Sequence, residues 1–75
     1  MKHDVEVDAK GESCPMPLLR AKQQLNRMQS GQCLRVEATD AGSLRDFRAF
    51  ADMAGHQLFE EHRESDVFVY FLIKG

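Results

Sequence analysis

Val67-Phe68-Val69-Tyr70-Phe71-Leu72-Ile73 is an uncharged run of seven β-branched, aromatic or aliphatic residues, and it restricts the possible folds more than any other stretch. Residues of these types suit a pleated, packed surface. Apolarity without alternation points to an interior strand, although a short apolar run by itself does not separate a strand from a buried helical segment. The run is far too short to span a bilayer as a helix. A chain of 75 residues has room for one domain and one core. An interior strand in such a chain needs neighbouring strands and a covering layer, and the rest of the sequence must supply both.

The supply can be followed from the N-terminus. Val5, Val7 and Ala9 alternate with Asp4, Glu6 and Asp8, the pattern of a half-buried strand. Lys10-Gly11-Glu12-Ser13 breaks the period as a loop, with Gly11 suited to a backbone angle that other residues disfavour. From Pro15 to Met28 the residues Leu18, Ala21, Leu25 and Met28 recur at helical spacing, with Leu19 widening the stripe and Gly31 as the expected C-terminal cap. Leu34, Val36 and Ala38 alternate with Cys33, Arg35, Glu37 and Thr39, a second strand with one dry face. Asp40-Ala41-Gly42-Ser43 opens a second helix, in which Ser43 and Asp46 have the spacing of a capping box. Its buried face is Leu44, Phe47, Phe50, Ala51 and Ala54, and Gly55 ends it. Gln57–Glu61 is a weaker strand, and Arg63-Glu64-Ser65-Asp66 reads as a turn before the apolar run.

The order strand, helix, strand, helix, strand, strand predicts a two-layer α/β sandwich, βαβαββ, with a four-stranded mixed sheet and both helices on one face. The first crossover is expected to be parallel and right-handed, and the last two strands to form an antiparallel hairpin.

The chemistry-bearing residue is Cys14, in Gly11-Glu12-Ser13-Cys14-Pro15-Met16-Pro17, which holds both prolines of the chain. The pattern puts Cys14 at or beside the N-cap of the first helix, Pro15 at the first helical position and Pro17 within the first turn. Proline is favoured there because first-turn amides have no partner inside the helix. A helix N-terminus favours negative charge, so a lowered thiol pKa and a larger thiolate fraction are expected. A thiolate can attack a persulfide or disulfide sulfur held by a partner, and a persulfide formed on Cys14 would itself be anionic. The competing reading is a buried, inert cysteine, the commoner state of free cysteine. Proline at residue 17 excludes a dithiol Cys-x-x-Cys motif. Cys33 falls opposite Leu34, Val36 and Ala38, open to roles as exposed bystander, edge packer or resolving thiol. Ser43, Arg45 and Asp46 form a second polar cluster, readable as a solvated helix start or as a rim of the sulfur site. Met16, between the prolines, suits either a partner contact or the edge of the core.

Charge and composition narrow the functions further. Ten Lys plus Arg against twelve Asp plus Glu give a formal charge of -2, against general nucleic-acid binding, and no aromatic residues interleave with the basic ones as a stacking platform needs. His3, His56 and His62 show no ligand spacing with either cysteine, so no metal and no resident cofactor are expected. The polar N-terminus does not resemble a signal peptide. The cytosol, with both cysteines as free thiols, is the expected setting.

With these residues in hand, the chain resembles the TusA/SirA/YedF-like family of small sulfur carriers. The resemblance runs through Asp8-Ala9-Lys10-Gly11, Cys14-Pro15-Met16-Pro17, Gly31, Asp40, Ser43-Leu44-Arg45-Asp46, Gly55-His56 and Phe68 to Lys74, nearly the whole chain. It implies a single carrier domain over residues 1–75 and the βαβαββ sandwich. It also implies a transient persulfide on Cys14, shaped by Pro15 and Pro17 and supported by Gly11 and Asp8. Implied partners are a cysteine desulfurase or rhodanese-like donor and a protein acceptor, serving transfer-RNA thiolation or related sulfur metabolism, with no membrane insertion and no direct nucleic-acid contact. Met16, Ser43, Arg45 and Asp46 would form the rim against which partners dock. Glu12 and Ser13 make the approach to Cys14 more acidic and smaller than in many members, which bears on partner choice. Two other readings stay beside this one: a regulatory protein-binding module without chemistry at Cys14, and an RNA adaptor of the kind found among translation factors, which the negative charge disfavours.

Overall fold

The computed structural model describes residues 2–63 and 66–75. Strand β1 spans Val5–Ala9, helix α1 Met16–Leu25, strand β2 Cys33–Ala38, helix α2 Ser43–Ala54, strand β3 Gln57–Arg63 and strand β4 Val67–Ile73. The sheet order is β1-β2-β4-β3. β1 and β2 are parallel, and β4 is antiparallel to both β2 and β3. The apolar run therefore takes the interior position its composition predicts. Of the expected turn at Arg63–Asp66, Arg63 belongs to β3, and Glu64 and Ser65 lie outside the described residues.

Strand periodicity sorts the side chains into two faces. Val7 and Ala9 of β1, Leu34, Val36 and Ala38 of β2, and Tyr70 and Leu72 of β4 form one core with Ala21, Leu25 and Met28 from the α1 segment and Phe47 and Ala51 of α2. Cys33, Val69 and Phe71, the alternate residues, form a second and smaller cluster, flanked by Val67 and Ile73. Long side chains cover this cluster in place of a third layer. The Arg35 guanidinium lies 6.0 Å from the Phe71 ring centre, and the His3 ring 6.4 Å from it. Arg35 is held there by Glu6 and Glu37. Cys33 is thus on the face expected, yet it is buried, at 5% exposure, rather than an exposed bystander.

The helix boundaries differ from the periodic reading in instructive ways. α1 ends at Leu25, although Met28 is still buried as its stripe requires. The chain beyond Leu25 turns through Met28 N–H to Leu25 C=O, and Lys74 Nζ donates to the carbonyls of Leu25 and Met28 at 2.7 and 2.6 Å. Gly31 has φ 92° but lies in the turn before β2, where its amide donates to the Lys74 carbonyl, and so does not cap the helix. Leu19, expected to widen the buried stripe, is 43% exposed, and Ala54 is also exposed. Gly55 ends α2 in the left-handed region, φ 79°, as expected of a terminal glycine.

Candidate functional site

The loop after β1 is fixed from several sides. Asp8 Oδ1 accepts the Lys10 amide, and the Gly11 amide donates to Thr39 Oγ1 at 2.9 Å, tying the loop to the end of β2. Gly11 has φ 83°, the left-handed region that glycine tolerates best. Arg20 reaches back from α1 to the Asp8 carbonyl and to the Glu12 carboxylate. Asp8 and Gly11 therefore act on the approach to the cysteine. Lys10 holds the Asp8 carboxyl below the usual range through the backbone and side-chain hydrogen bonds it donates.

The Met16 amide donates to the Ser13 carbonyl and the Leu19 amide to the Pro15 carbonyl, opening α1. Pro15 is the N-cap, one position earlier than the sequence suggests, after a cis Cys14–Pro15 peptide bond. Pro17 sits in the first turn, where its missing donor leaves no hydrogen bond broken. Its ring is fully buried and anchors the turn to the core. Met16 between them is 45% exposed.

Cys14 is exposed, immediately before the α1 N-cap, in a shallow depression that it shares with Pro15, Pro17, Asp40, Ser43 and Asp46. The first turns of both helices meet here, so Ser43 and Asp46 line the depression in the rim position that was one of the two readings of the second polar cluster. The Cys14 thiol donates to Asp46 Oδ2 at 3.1 Å. This corrects the expected drop in thiol pKa. The hydrogen bond to Asp46 is the largest influence and raises the pKa; partial desolvation and the charges of Asp46 and Asp40 push the same way, and only Arg45 opposes them. The expectation weighed the thiol against its own helix, whereas the deciding carboxylate comes from α2.

The second polar cluster divides. Ser43 is the first residue of α2, behind an N-cap at Gly42. Its hydroxyl is bonded to the Tyr70 hydroxyl at 2.7 Å inside the core, so it forms no capping box. Asp46, the other half of that expected box, holds the thiol instead. Arg45 is 87% exposed on its side chain and only 4.0 Å from Asp46. Asp40 was not assigned to the site by sequence reasoning. Its Oδ2 accepts the Gly42 amide at 3.1 Å, and its charge faces Cys14. The Asp-x-Gly spacing before a helix is a turn signal that would have found it. An open groove of about 270 Å³ continues from Asp46 between the helices, lined by Leu18, Lys22, Phe50 and Met53.

Among the described residues no cluster of His, Cys, Asp and Glu has the arrangement of a metal site, and no helix is long and apolar enough to cross a membrane. Comparison with known proteins gives a consistent picture. The profile of the family described as sulfurtransferase TusA matches residues 5–75. The sulfur carrier protein TusA of Allochromatium vinosum is 55% identical over 71 residues, covering 95% of this chain and 92% of that protein. The YrkI protein of Bacillus subtilis is 44% identical over 75 residues, covering all of both chains. A crystal structure of a SirA-like protein from Desulfitobacterium hafniense superposes with a TM-score of 0.87 at 23% identity, covering 96% of this chain and 99% of that one, and shares the fold.

Proposed function

The chain belongs to the TusA family, and on that premise we propose that it is a sulfur carrier that holds a persulfide on Cys14 and relays it between two proteins. The observation that carries the reading is the placement of an exposed thiol where the N-terminal turns of α1 and α2 converge. Both helices direct their N-terminal ends toward this depression, and their dipoles there work for an anionic persulfide against the carboxylates of Asp46 and Asp40.

The step is a sulfane transfer. The Cys14 thiolate attacks the terminal sulfur of a donor persulfide; the donor S–S bond breaks as a new one forms on Cys14, and the donor leaves as a thiolate. An acceptor thiolate then attacks the terminal sulfur on Cys14; that S–S bond breaks as one forms on the acceptor, and Cys14 leaves as a thiolate that takes up a proton from water. No net oxidation occurs in either half. Pro15 and Pro17 hold the turn that presents the sulfur, and exposed Met16 adds an apolar contact beside it. A cysteine desulfurase or a rhodanese-like protein is the donor class, and the acceptor serves transfer-RNA thiolation or related sulfur metabolism. The two free cysteines suit the reducing cytosol.

Incubation with cysteine and a cysteine desulfurase, followed by mass spectrometry, tests the reading. A sulfur adduct is expected on the wild type and none on Cys14→Ser. No adduct on the wild type, or an equal one on the variant, overturns it. Full biological activity of Cys14→Ser would favour a regulatory module instead.

A further inference from the structure

We propose that Asp46 is a latch on Cys14: its carboxylate keeps the resting sulfur as a neutral, slowly reacting thiol until a cationic group of a docking sulfur donor pairs with it and frees the thiolate. The inference rests on the carrier reading for its purpose, though not for its chemistry. A nucleophile that must act as an anion here donates its proton to a carboxylate at 3.1 Å. The other charges facing it are Asp40, which adds to the opposition, and Arg45, whose opposing influence is the smallest and whose side chain is 87% exposed to solvent. The remaining elements against the sulfur contribute Pro15, Pro17, Leu18, Ser43 and Phe47, which carry no charge.

The contrast with three carboxylates that are held by cations is informative. Glu60 is gripped by Arg48 through two bonds of 2.7 Å, Glu37 by Lys10 and Arg35, and Glu12 by Arg20. Asp46 has the thiol as its close partner and Arg45 only at 4.0 Å. Its side chain is 25% exposed, so a cation arriving from outside can reach it. Pairing draws the carboxylate away from the sulfur. The thiol proton passes to water, the thiolate attacks the donor's terminal sulfur, and the departing donor thiolate takes up a proton from water. At rest the same bond keeps small oxidants and electrophiles from a sulfur that the fold leaves exposed.

The test is alkylation of Cys14 by iodoacetamide across a pH series, read by peptide mass spectrometry on wild type and Asp46→Asn. Folding is checked by circular dichroism. The isosteric amide removes the charge, so the rate profile should shift to lower pH and the rate at neutral pH should rise about fivefold. A folded variant with an equal or slower rate overturns the latch. Should the variant not fold, the wild type decides: its midpoint should lie above the roughly 8.5 of an ordinary cysteine, and a midpoint at or below that value overturns the proposal. The donor's cation is read separately. Loading by a cysteine desulfurase with cysteine should slow in the wild type as NaCl is raised, with a flatter dependence in Asp46→Asn; identical salt slopes overturn the cationic release. Alkylation needs no sulfur donor, so a shifted alkylation profile without any loading would refute the carrier reading and keep the latch.

Discussion

The Ser43 hydroxyl and the Tyr70 hydroxyl meet at 2.7 Å inside the core, joining the first turn of α2 to the centre of β4. Tyr70 is fully buried, and its ring stacks on Phe47 with centroids 4.4 Å apart. This one polar link within an apolar layer holds the start of α2, and with it Asp46, in register with the sheet. Tyr70→Phe leaves the Ser43 hydroxyl without that partner and should cost about 1–3 kcal/mol. Ser43→Ala should cost a similar amount. The double variant should lose less than the sum, because neither group is then left stranded. Urea unfolding of the four proteins measures the coupling.

Lys74 should prove a structural cation despite its place near the end of the described chain. It donates to the carbonyl of Leu25, the last residue of α1, which also accepts the Met28 amide, and to the carbonyl of Met28 in the turn that follows. Lys74→Met keeps the aliphatic stem and removes the donors, with an expected loss of about 1–2 kcal/mol. Amide hydrogen exchange should show the loss concentrated in the last turn of α1. Uniform loss of protection across the sheet would count against this local role.

His56 gives stability a dependence on pH near neutrality. Burial, and then the charge of Lys74, lower its pKa below 6.5, and its Nδ1 accepts the Gly75 amide at 3.0 Å. The folded protein therefore binds this proton less readily than the unfolded chain. The contribution is fully present above the unfolded value of about 6.5 and is lost as pH falls through the lower folded value. Urea midpoints should decline from pH 7.5 to pH 5 in the wild type. The decline should be smaller in His56→Asn, whose amide oxygen can still accept the Gly75 amide without becoming charged. Equal declines would remove His56 as the cause.

The two cysteines should differ sharply in accessibility. Cys14 is exposed, whereas Cys33 lies in the small cluster with Val69 and Phe71, and burial holds its thiol pKa up. Native-state alkylation should label Cys14 first. Cys33 should label only through opening of the sheet, at a rate that rises with urea. Prompt labelling of both would show that the Arg35 cover over that face is looser than its packing suggests.

Periodicity located β1, α1, β2 and α2, and unbroken apolarity located the interior strand, because each signal is contained within a few residues. The ends of α1 escaped it: Met28 keeps the helical rhythm of burial after the helix itself has stopped, since a turn can bury an apolar side chain as well as a helix can. At the site, Cys14 and its prolines were legible from chain chemistry alone. The partner of Cys14 was not. Ser43 and Asp46 stand at capping-box spacing, but tertiary contacts took both side chains, one to Tyr70 and one to the thiol. Local pairing rules fail where a residue 27 or 32 positions away offers the better partner.

The strand order β1-β2-β4-β3 has a consequence for the timing of assembly. The strand that bridges β2 and β3 is the last of the six elements to be synthesised. Until Val67–Ile73 leaves the ribosome, β3 has no neighbour to bond, and Phe47 lacks the Tyr70 ring against which it stacks. Nascent chains arrested before this strand emerges should stay protease-sensitive. Protection should arrive in a single step once β4 is free, because non-local pairing completes the sheet and the core together.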